Sequence, residues 1–163
     1  MIQYAVLDGC DAKQGVLDDF VRLVQEGAAV NEHYVRQGIQ RKGTKMILAR
    51  VEDVVVGVAA LKVPLKSYRN GIGSDDKSGY AIPQDLYPFE LGYVAVPEHH
   101  GGRGIGRTLV NKVLELSDGH GLFATTSHPA MKESLLPGAG FEPVGNSWAN
   151  DRNELLHLFI FNK

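Results

Sequence analysis

A glycine-dense turn constrains the fold of this chain more than any other feature of its sequence. It joins a strand-like apolar run at residues 89–96 to a helical run at residues 105–116, and its glycines are Gly101, Gly102, Gly104 and Gly106. Glycine lets backbone N–H groups turn toward an anion, and it removes the Cβ that would obstruct the approach. A helix that begins at such a turn adds N–H groups without intrahelical acceptors and the positive end of its dipole. The segment therefore predicts a binding site for a phosphate or pyrophosphate group.

The spacing of these glycines distinguishes between classes of phosphate-binding protein. A dinucleotide-binding fingerprint requires a third glycine where Leu109 stands. A P-loop requires a lysine before its last residue, and the otherwise matching stretch from Gly101 to Thr108 carries Arg107 there. Arginine is a poor replacement for the compact lysine charge that reaches the β- and γ-phosphates. A P-loop-like nucleotide-binding protein therefore stays as an alternative, and it is the closest rival.

The same stretch resembles the GCN5-related N-acetyltransferase (GNAT) superfamily, whose acetyl-CoA signature reads Gln/Arg-x-x-Gly-x-Gly/Ala. Gly104 and Gly106 fall on its two small positions, whereas Gly101 stands at the Gln/Arg position and departs from the pattern. The pair Gly140-Phe141, which follows a short predicted helix, is similar to the family's turn before its last two strands. The order of predicted elements is also similar over nearly the whole chain.

This resemblance implies an acetyl-CoA site around the glycine turn. In the family, backbone N–H groups of the loop hold the pyrophosphate, and the backbone of the preceding strand holds the pantetheine arm where two parallel strands diverge. Arg103 is expected to compensate in part for the glycine at position 101. The expected cofactor-binding residues are Val94, Ala95, Val96, Gly101, Gly102, Arg103, Gly104, Ile105, Gly106, Arg107 and Thr108.

The resemblance also implies a general base at Glu90, where many family members carry a catalytic glutamate on the fourth strand. Direct transfer requires a neutral amine, so a base must remove a proton before or during the attack. Strand alternation is expected to place Glu90, Gly92 and Val94 on one face. A solvated or salt-bridged glutamate is the alternative interpretation.

The general acid is less well defined. Many family members carry a tyrosine four residues before the Gly-Phe phenylalanine, and here that position is Leu136, which has no proton to donate. His128, at the end of the fifth predicted strand, is the candidate for the role, with a loop histidine as its alternative. Tyr87, Tyr93 and Ser134 are weaker options.

Hydrophobic periodicity predicts a single domain, residues 1–163, with a mixed α/β sheet in the order β-α-α-β-β-(loop)-β-α-β-α-β-β. The resemblance implies the GNAT fold, a central mixed and mostly antiparallel twisted sheet flanked by helices. Turn signals such as Asn70-Gly71 predict an irregular loop over residues 64–88, where the family builds acceptor specificity. The last predicted helix, residues 130–136, is expected to stop at Pro137-Gly138.

Composition excludes several kinds of partner. The formal net charge of −2 gives no strong field for nucleic acid or an acidic membrane. The N-terminus reads as a strand rather than a signal peptide, and no apolar stretch is long enough for a bilayer span. We expect a cytoplasmic protein with neither partner. His99-His100 is not expected to bind a metal, because neighbouring side chains diverge.

These observations predict an enzyme that transfers an acetyl group from acetyl-CoA to a primary amine in a ternary complex without a metal. A catalytically silent acetyl-CoA-binding regulatory module is the second hypothesis, since both the usual tyrosine and the usual Gln/Arg are absent. The sequence does not define the acceptor, a small-molecule or peptide amine, or the acyl chain length. Many relatives form homodimers, and the sequence leaves that point open.

Overall fold

The structure, a computed structural model, describes residues 1–28 and 30–162. Within these residues the strands are β1 (Ile2–Asp8), β2 (Lys45–Val51), β3 (Val54–Lys62), β4 (Phe89–Ala95), β5 (Leu122–Thr126), β6 (Glu142–Ala149) and β7 (Leu155–Phe161). The helices are α1 (Gln14–Gly27), α2 (Glu32–Ile39), α3 (Lys66–Ile72), α4 (Ile105–Leu116) and α5 (Leu136–Ala139). Short 3₁₀ turns lie at Gly9–Asp11 and Glu98–His100, and a π-helical turn lies at Met131–Leu135.

Hydrogen bonding orders the strands β1-β2-β3-β4-β5-β7-β6 in a seven-stranded sheet. The described pairs are antiparallel except for β4 with β5, which is parallel. The predicted fold class, a mixed and mostly antiparallel sheet with helices, is confirmed. The chain divides into two compact units, residues 1–63 with 91–116, and residues 64–90 with 117–163. That the chain forms a single domain stays a prediction.

The first unit is built on β2, which pairs with β1 on one side and β3 on the other. Strands β2 and β3 are buried over most of their length because helices pack against both, which explains their nearly continuous apolar sequence. The core between α1, α2 and these strands consists of Leu17, Phe20, Val21, Leu23, Val24, Val35, Ile39, Met46, Leu48, Val55, Val58 and Ala60. Helix α4 also contacts β2 and β3, and this contact fixes the start of α4.

The second unit is built on β5 and β7, which pair antiparallel, with β6 beside β7 and the start of β4 beside β5. Its core consists of Ile72, Ile82, Tyr87, Phe123, Trp148, Leu158 and Ile160. A register shift follows Val144 in β6, where Gly145 has φ 70°. At this bulge the N–H of Asn146 donates to the carbonyl oxygen of Ser78 at 2.8 Å. The bulge therefore ties the segment before β4 to the sheet.

The prediction of an irregular loop over residues 64–88 is wrong in its first part, because α3 occupies Lys66–Ile72. The seven residues show no helical apolar period, and their Asn70-Gly71 pair, predicted as a turn, lies inside the helix. The helix is held by Ile72 in the core and by Arg69, which is buried and donates hydrogen bonds to backbone carbonyls. A pattern of apolar residues cannot predict a helix that is anchored by a buried arginine.

The prediction that Pro137-Gly138 stops the last helix is also wrong. Pro137 is the second residue of α5, and the helix ends at Ala139, before Gly140, which adopts φ 102°. Proline is tolerated in a first helical turn because it has no N–H that would need an acceptor there. The preceding π-helical turn, in which the N–H of Leu136 donates to Met131, makes the proline the start of a new helical segment. Among the described residues, no helix is both long and apolar enough to cross a membrane.

Candidate functional site

The glycine turn is an open, exposed loop between β4 and α4. Gly102 and Gly104 adopt φ 77° and φ 74°, the left-handed region that favours glycine. A Cβ placed at either position would have no heavy atom within 4 Å, so open space surrounds both. Residues 101–104 are exposed. The predicted turn thus exists, and two of its glycines are favoured by backbone conformation rather than by crowding.

The start of α4 presents its backbone to this loop. Ile105, its first residue, is 1% exposed and anchors the helix in the core. The N–H and the hydroxyl of Thr108 both donate to the carbonyl oxygen of Gly104, at 3.1 and 3.0 Å. The N–H groups of residues 105–107 lie in the first turn, where a helix supplies no carbonyl acceptor. They are the donors that an anion at this helix start would use.

Gly101 has a different part in the loop. Its N–H donates to the carbonyl oxygen of Glu98 at 2.9 Å and closes the 3₁₀ turn. Its backbone, with φ −66° and ψ 164°, has an extended conformation that any residue can adopt. The N–H of this residue is therefore committed within the loop, and any contribution of position 101 to ligand binding would have to come from a side chain that glycine lacks.

Positive charge is concentrated beside the loop. Arg103 and Arg107 are exposed. The rings of His99 and His100 lie 4.1 Å apart between centroids, so the expectation that these side chains diverge is wrong. Burial lowers the pKa of His100 below its ordinary value, and the neighbouring His99 and Arg103 lower it further. Within residues 1–28 and 30–162, no group of three or more His, Cys, Asp or Glu side chains is placed to hold a metal ion.

Strand β4 deviates from regular alternation at Tyr93, which has φ 54°. A non-glycine residue in the left-handed region of a strand interrupts the two-residue side-chain period. The predicted common face of Glu90, Gly92 and Val94 is therefore not maintained past Tyr93. The Tyr93 ring packs edge-on against Phe20, with centroids 6.0 Å apart, and lies under the Lys62 ammonium at 4.4 Å. Val94 and Ala95, like Val96 after the strand, are half-buried.

Glu90 lies in the second unit, where it is 3% exposed. The alternative of a solvated glutamate is thereby excluded. Its Oε2 accepts a hydrogen bond from the Tyr68 hydroxyl at 2.9 Å, and its backbone pairs with Phe123 of β5. Burial lowers the pKa of Arg69, and the negative charge of Glu90 opposes that effect by raising it. Helix α3 thus brings both a hydroxyl and a cation to the predicted base.

The usual tyrosine position and the candidates for general acid lie in different environments. Leu136 is 0% exposed and belongs to the core. His128 is exposed, but its Nδ1 accepts the N–H of Ala130 at 3.2 Å, which leaves Nε2 as the nitrogen that can face a ligand. The Tyr87 hydroxyl donates to Oδ1 of Asn162 at 2.8 Å, and burial raises the pKa of Tyr87.

Sequence reasoning missed Tyr68 and Arg69 as neighbours of Glu90. Both lie in the segment predicted as an irregular loop, more than twenty residues before Glu90 in the sequence. The available signal was compositional, since that segment carries aromatic and basic residues among its turn residues. No pattern in the sequence pairs either residue with the glutamate.

The model of the acetyltransferase (GNAT) family matches residues 17–132, well over half of the chain. The chain belongs to this family. The matched range includes β4, the glycine turn and α4, so the P-loop-like alternative is set aside. No curated protein sequence matches the chain.

Solved structures share the fold of this GNAT protein over nearly its whole length. Escherichia coli ElaA is 20% identical with a TM-score of 0.72, and the match covers 99% of this chain and 100% of that one. An acyl-CoA N-acyltransferase from Pseudomonas aeruginosa is 12% identical with a TM-score of 0.71, and it covers 99% of both chains. A chain of the NatC complex bound to Gag peptide and CoA is 14% identical with a TM-score of 0.70, covering 99% and 98%. At these identities the likeness concerns the fold alone.

Proposed function

We propose that this GNAT protein is an N-acetyltransferase that transfers an acetyl group from acetyl-CoA to a primary amine by direct attack in a ternary complex. The observation that carries the proposal is the loop before α4. It combines two open left-handed glycines, a helix start and exposed arginines. Each of these features favours a pyrophosphate, and the family supplies the ligand class.

In this proposal the first unit binds the cofactor. The N–H groups of residues 105–107 donate to the pyrophosphate, and Arg103 and Arg107 add charge-assisted contacts. The open space at Gly102 and Gly104 admits the phosphates close to the backbone. The backbone of residues 94–96 receives the pantetheine arm, as the family resemblance implies. The reaction needs no metal.

Glu90 serves as the base that removes a proton from the amine. The neutral nitrogen then attacks the thioester carbonyl carbon, the C–S bond breaks, and the thiolate of CoA leaves and takes up a proton. His128 is the candidate donor through Nε2, because its Nδ1 already accepts the Ala130 N–H. If water supplies this proton instead, loss of His128 has little effect.

The acceptor is a primary amine of a small molecule or of a peptide. The structural neighbour from the NatC complex was solved with a peptide bound, which favours a peptide amine as the first class to test. A cytoplasmic location and the absence of nucleic-acid and membrane partners stay predictions, as does a homodimer.

A catalytically silent acetyl-CoA-binding module is the second candidate. It is favoured by Leu136, which fills the usual tyrosine position with a fully buried core residue. Release of CoA thiol from acetyl-CoA, followed over a broad panel of amines and peptides, separates the two candidates. Binding of acetyl-CoA without thiol release above the hydrolysis rate would favour the silent module.

The binding proposal is tested by thermal denaturation with acetyl-CoA, CoA, ATP–Mg²⁺ and NAD at matched concentrations. A ligand at a hundred times its dissociation constant stabilises the native state by about 2.7 kcal/mol. We expect a rise with both CoA forms and none with ATP or NAD. Arg103→Glu should abolish the rise, whereas Arg152→Glu, the same charge change in the turn before β7, should preserve it. No rise with either CoA form would refute the proposed function.

A further inference from the structure

We propose that Tyr68 is a positioning residue of the acetyl transfer, which orients the Glu90 carboxylate through its hydroxyl. This inference rests on the proposed function, in which Glu90 is the base. The Tyr68 hydroxyl donates to Oε2 of Glu90 at 2.9 Å, a normal distance for a hydrogen bond between two oxygens. Donation to a carboxylate is charge-assisted, and it fixes the rotation of the carboxyl group as well as its position.

The burial of the two residues differs, and the difference defines their roles. Glu90 is 3% exposed, whereas Tyr68 is 41% exposed. A buried carboxylate needs hydrogen-bond donors, since a polar group buried without partners is costly. Tyr68 reaches from the surface of α3 to supply one such donor. Helix α3 contributes this hydroxyl and the positive charge of Arg69 to the surroundings of Glu90, and β5 brings the apolar Phe123 at the paired position.

Arg69 holds α3 in the place from which Tyr68 can reach Glu90. Its guanidinium donates to the carbonyl oxygens of Ile82, Tyr87 and Pro88 at 3.1, 2.6 and 3.4 Å. These carbonyls lie on the chain that leads directly into β4, so α3 is fixed to the backbone immediately before Glu90. A positioning residue is useful only on a rigid support, and these hydrogen bonds supply it.

The consequence is that the segment of residues 64–88 acts on the base as well as on the acceptor. A base must lie within hydrogen-bond reach of the proton that it removes, and its carboxyl oxygen must be aimed at it. The hydrogen bond from Tyr68 to Oε2 holds the Glu90 carboxylate in one orientation, and the proposal uses that orientation for proton removal. Tyr68 itself exchanges no proton with the substrate in this scheme.

Steady-state kinetics of Tyr68→Phe, Glu90→Gln and the double variant test the proposal. Tyr68→Phe keeps the ring and removes the hydroxyl, so it should lower kcat about tenfold while the KM for acetyl-CoA stays unchanged. In the Glu90→Gln background the same change should have no further effect, since the two residues act as one unit. Tyr34→Phe, which removes the hydroxyl of an exposed tyrosine on α2, should behave as wild type.

A spectroscopic readout tests the contact without turnover. The ¹³C chemical shift of the Glu90 side-chain carboxyl, assigned by its absence in Glu90→Gln, should move in Tyr68→Phe and not in Tyr34→Phe. An unchanged kcat, or an equal loss of kcat in the Glu90→Gln background, would overturn the role of Tyr68 in a protein that binds CoA normally. Failure of the wild-type protein to bind CoA would instead refute the proposed function.

Discussion

Gly57 of β3 leaves the space that Ile105, the first residue of α4, occupies. A Cβ at position 57 would lie 2.7 Å from Cγ2 of Ile105 and 3.1 Å from Cδ1 of Leu109. Both distances are shorter than ordinary van der Waals contact, so the helix start sits on β3 because this strand residue has no side chain. The position of the N–H groups that face the loop therefore depends on a glycine almost fifty residues earlier in the chain.

We predict that Gly57→Ala destabilises the protein by about 1 kcal/mol, the overpacking cost less the gain from a stiffer unfolded chain. Because the strain falls on Ile105, affinity for acetyl-CoA should also decrease. Gly15→Ala is the matched control, since a Cβ in that position of α1 would meet nothing within 4 Å. It should stabilise the protein by roughly 0.5 kcal/mol. Urea denaturation measures both changes in the free energy of unfolding. If the two variants changed it in the same direction, the packing argument would be wrong.

Position 101 offers a gain-of-affinity prediction. Gly101 stands where the family signature has Gln or Arg, and its backbone conformation suits any residue. A Cβ there would lie 3.1 Å from the carbonyl oxygen of Glu98, which requires a shift of a few tenths of an ångström. We expect Gly101→Gln to fold with a stability loss below about 1 kcal/mol and to bind acetyl-CoA more tightly, because it adds a donor for the phosphates.

Isothermal titration calorimetry of wild type and Gly101→Gln measures this effect. Gly138→Gln serves as the control, because that glycine of α5 is also open and lies in the other unit. Weaker binding by Gly101→Gln, with an unchanged circular dichroism spectrum, would show that the glycine suits the loop of this protein better than the family residue.

The stability of the protein should depend on pH through His100. Its pKa is lowered by burial and by its neighbours His99 and Arg103, so the native state disfavours its charged form. The unfolded state therefore binds more protons over the interval below the ordinary histidine pKa of about 6.5. By linkage, the stability present above that pH is lost as pH falls through the interval. His100→Gln should remove part of this loss, as measured by urea midpoints in slightly acidic and neutral buffer.

Bound acetyl-CoA should counteract the lowering of the His100 pKa. A pyrophosphate beside the loop adds negative charge, which favours the imidazolium form and raises the pKa of His100. ¹H–¹³C NMR titration of the histidine rings, with and without CoA, measures the change. If the His100 titration is the same in both samples although CoA is bound, the pyrophosphate does not lie beside His100.

The elements predicted from sequence were those whose local pattern and tertiary role agree. The strand predicted over residues 89–96 and the helix predicted over residues 105–116 are found at Phe89–Ala95 and Ile105–Leu116, and the buried residues of that helix recur at helical spacing. The glycine turn could be predicted from sequence because the left-handed conformations at Gly102 and Gly104 strongly favour glycine. A turn can be predicted from sequence alone where its backbone conformation strongly favours one residue type.

The features that sequence reasoning missed depend on contacts between distant parts of the chain. Helix α3 is stabilised by the buried Arg69 rather than by an apolar stripe, so periodicity gave no sign of it. The Tyr93 conformation interrupts an alternation that the residue types alone would continue. The contact of Tyr68 with Glu90 follows from where α3 lies. The role of these residues can be assigned only once the positions of the folded elements are known.

Arg69 is a buried charged residue whose loss should be costly to the second unit. Arg69 is 5% exposed, and its guanidinium donates to three backbone carbonyls, which no other residue type can reach with the same planar fork. Arg69→Met should destabilise the protein by about 3 kcal/mol, because the carbonyls lose their donors in a buried setting. Arg69→Lys should recover only part of this loss, since an ammonium cannot span the same acceptors.

Lys66→Met is the matched control, because it removes a positive charge from an exposed position of the same helix. It should change stability by less than about 0.5 kcal/mol. Urea denaturation of the three variants measures the order of their stabilities. If Arg69→Met were as stable as Lys66→Met, the buried hydrogen bonds would not hold α3. Ile72 would then be the residue that anchors α3, and the position of Tyr68 relative to Glu90 would not depend on Arg69.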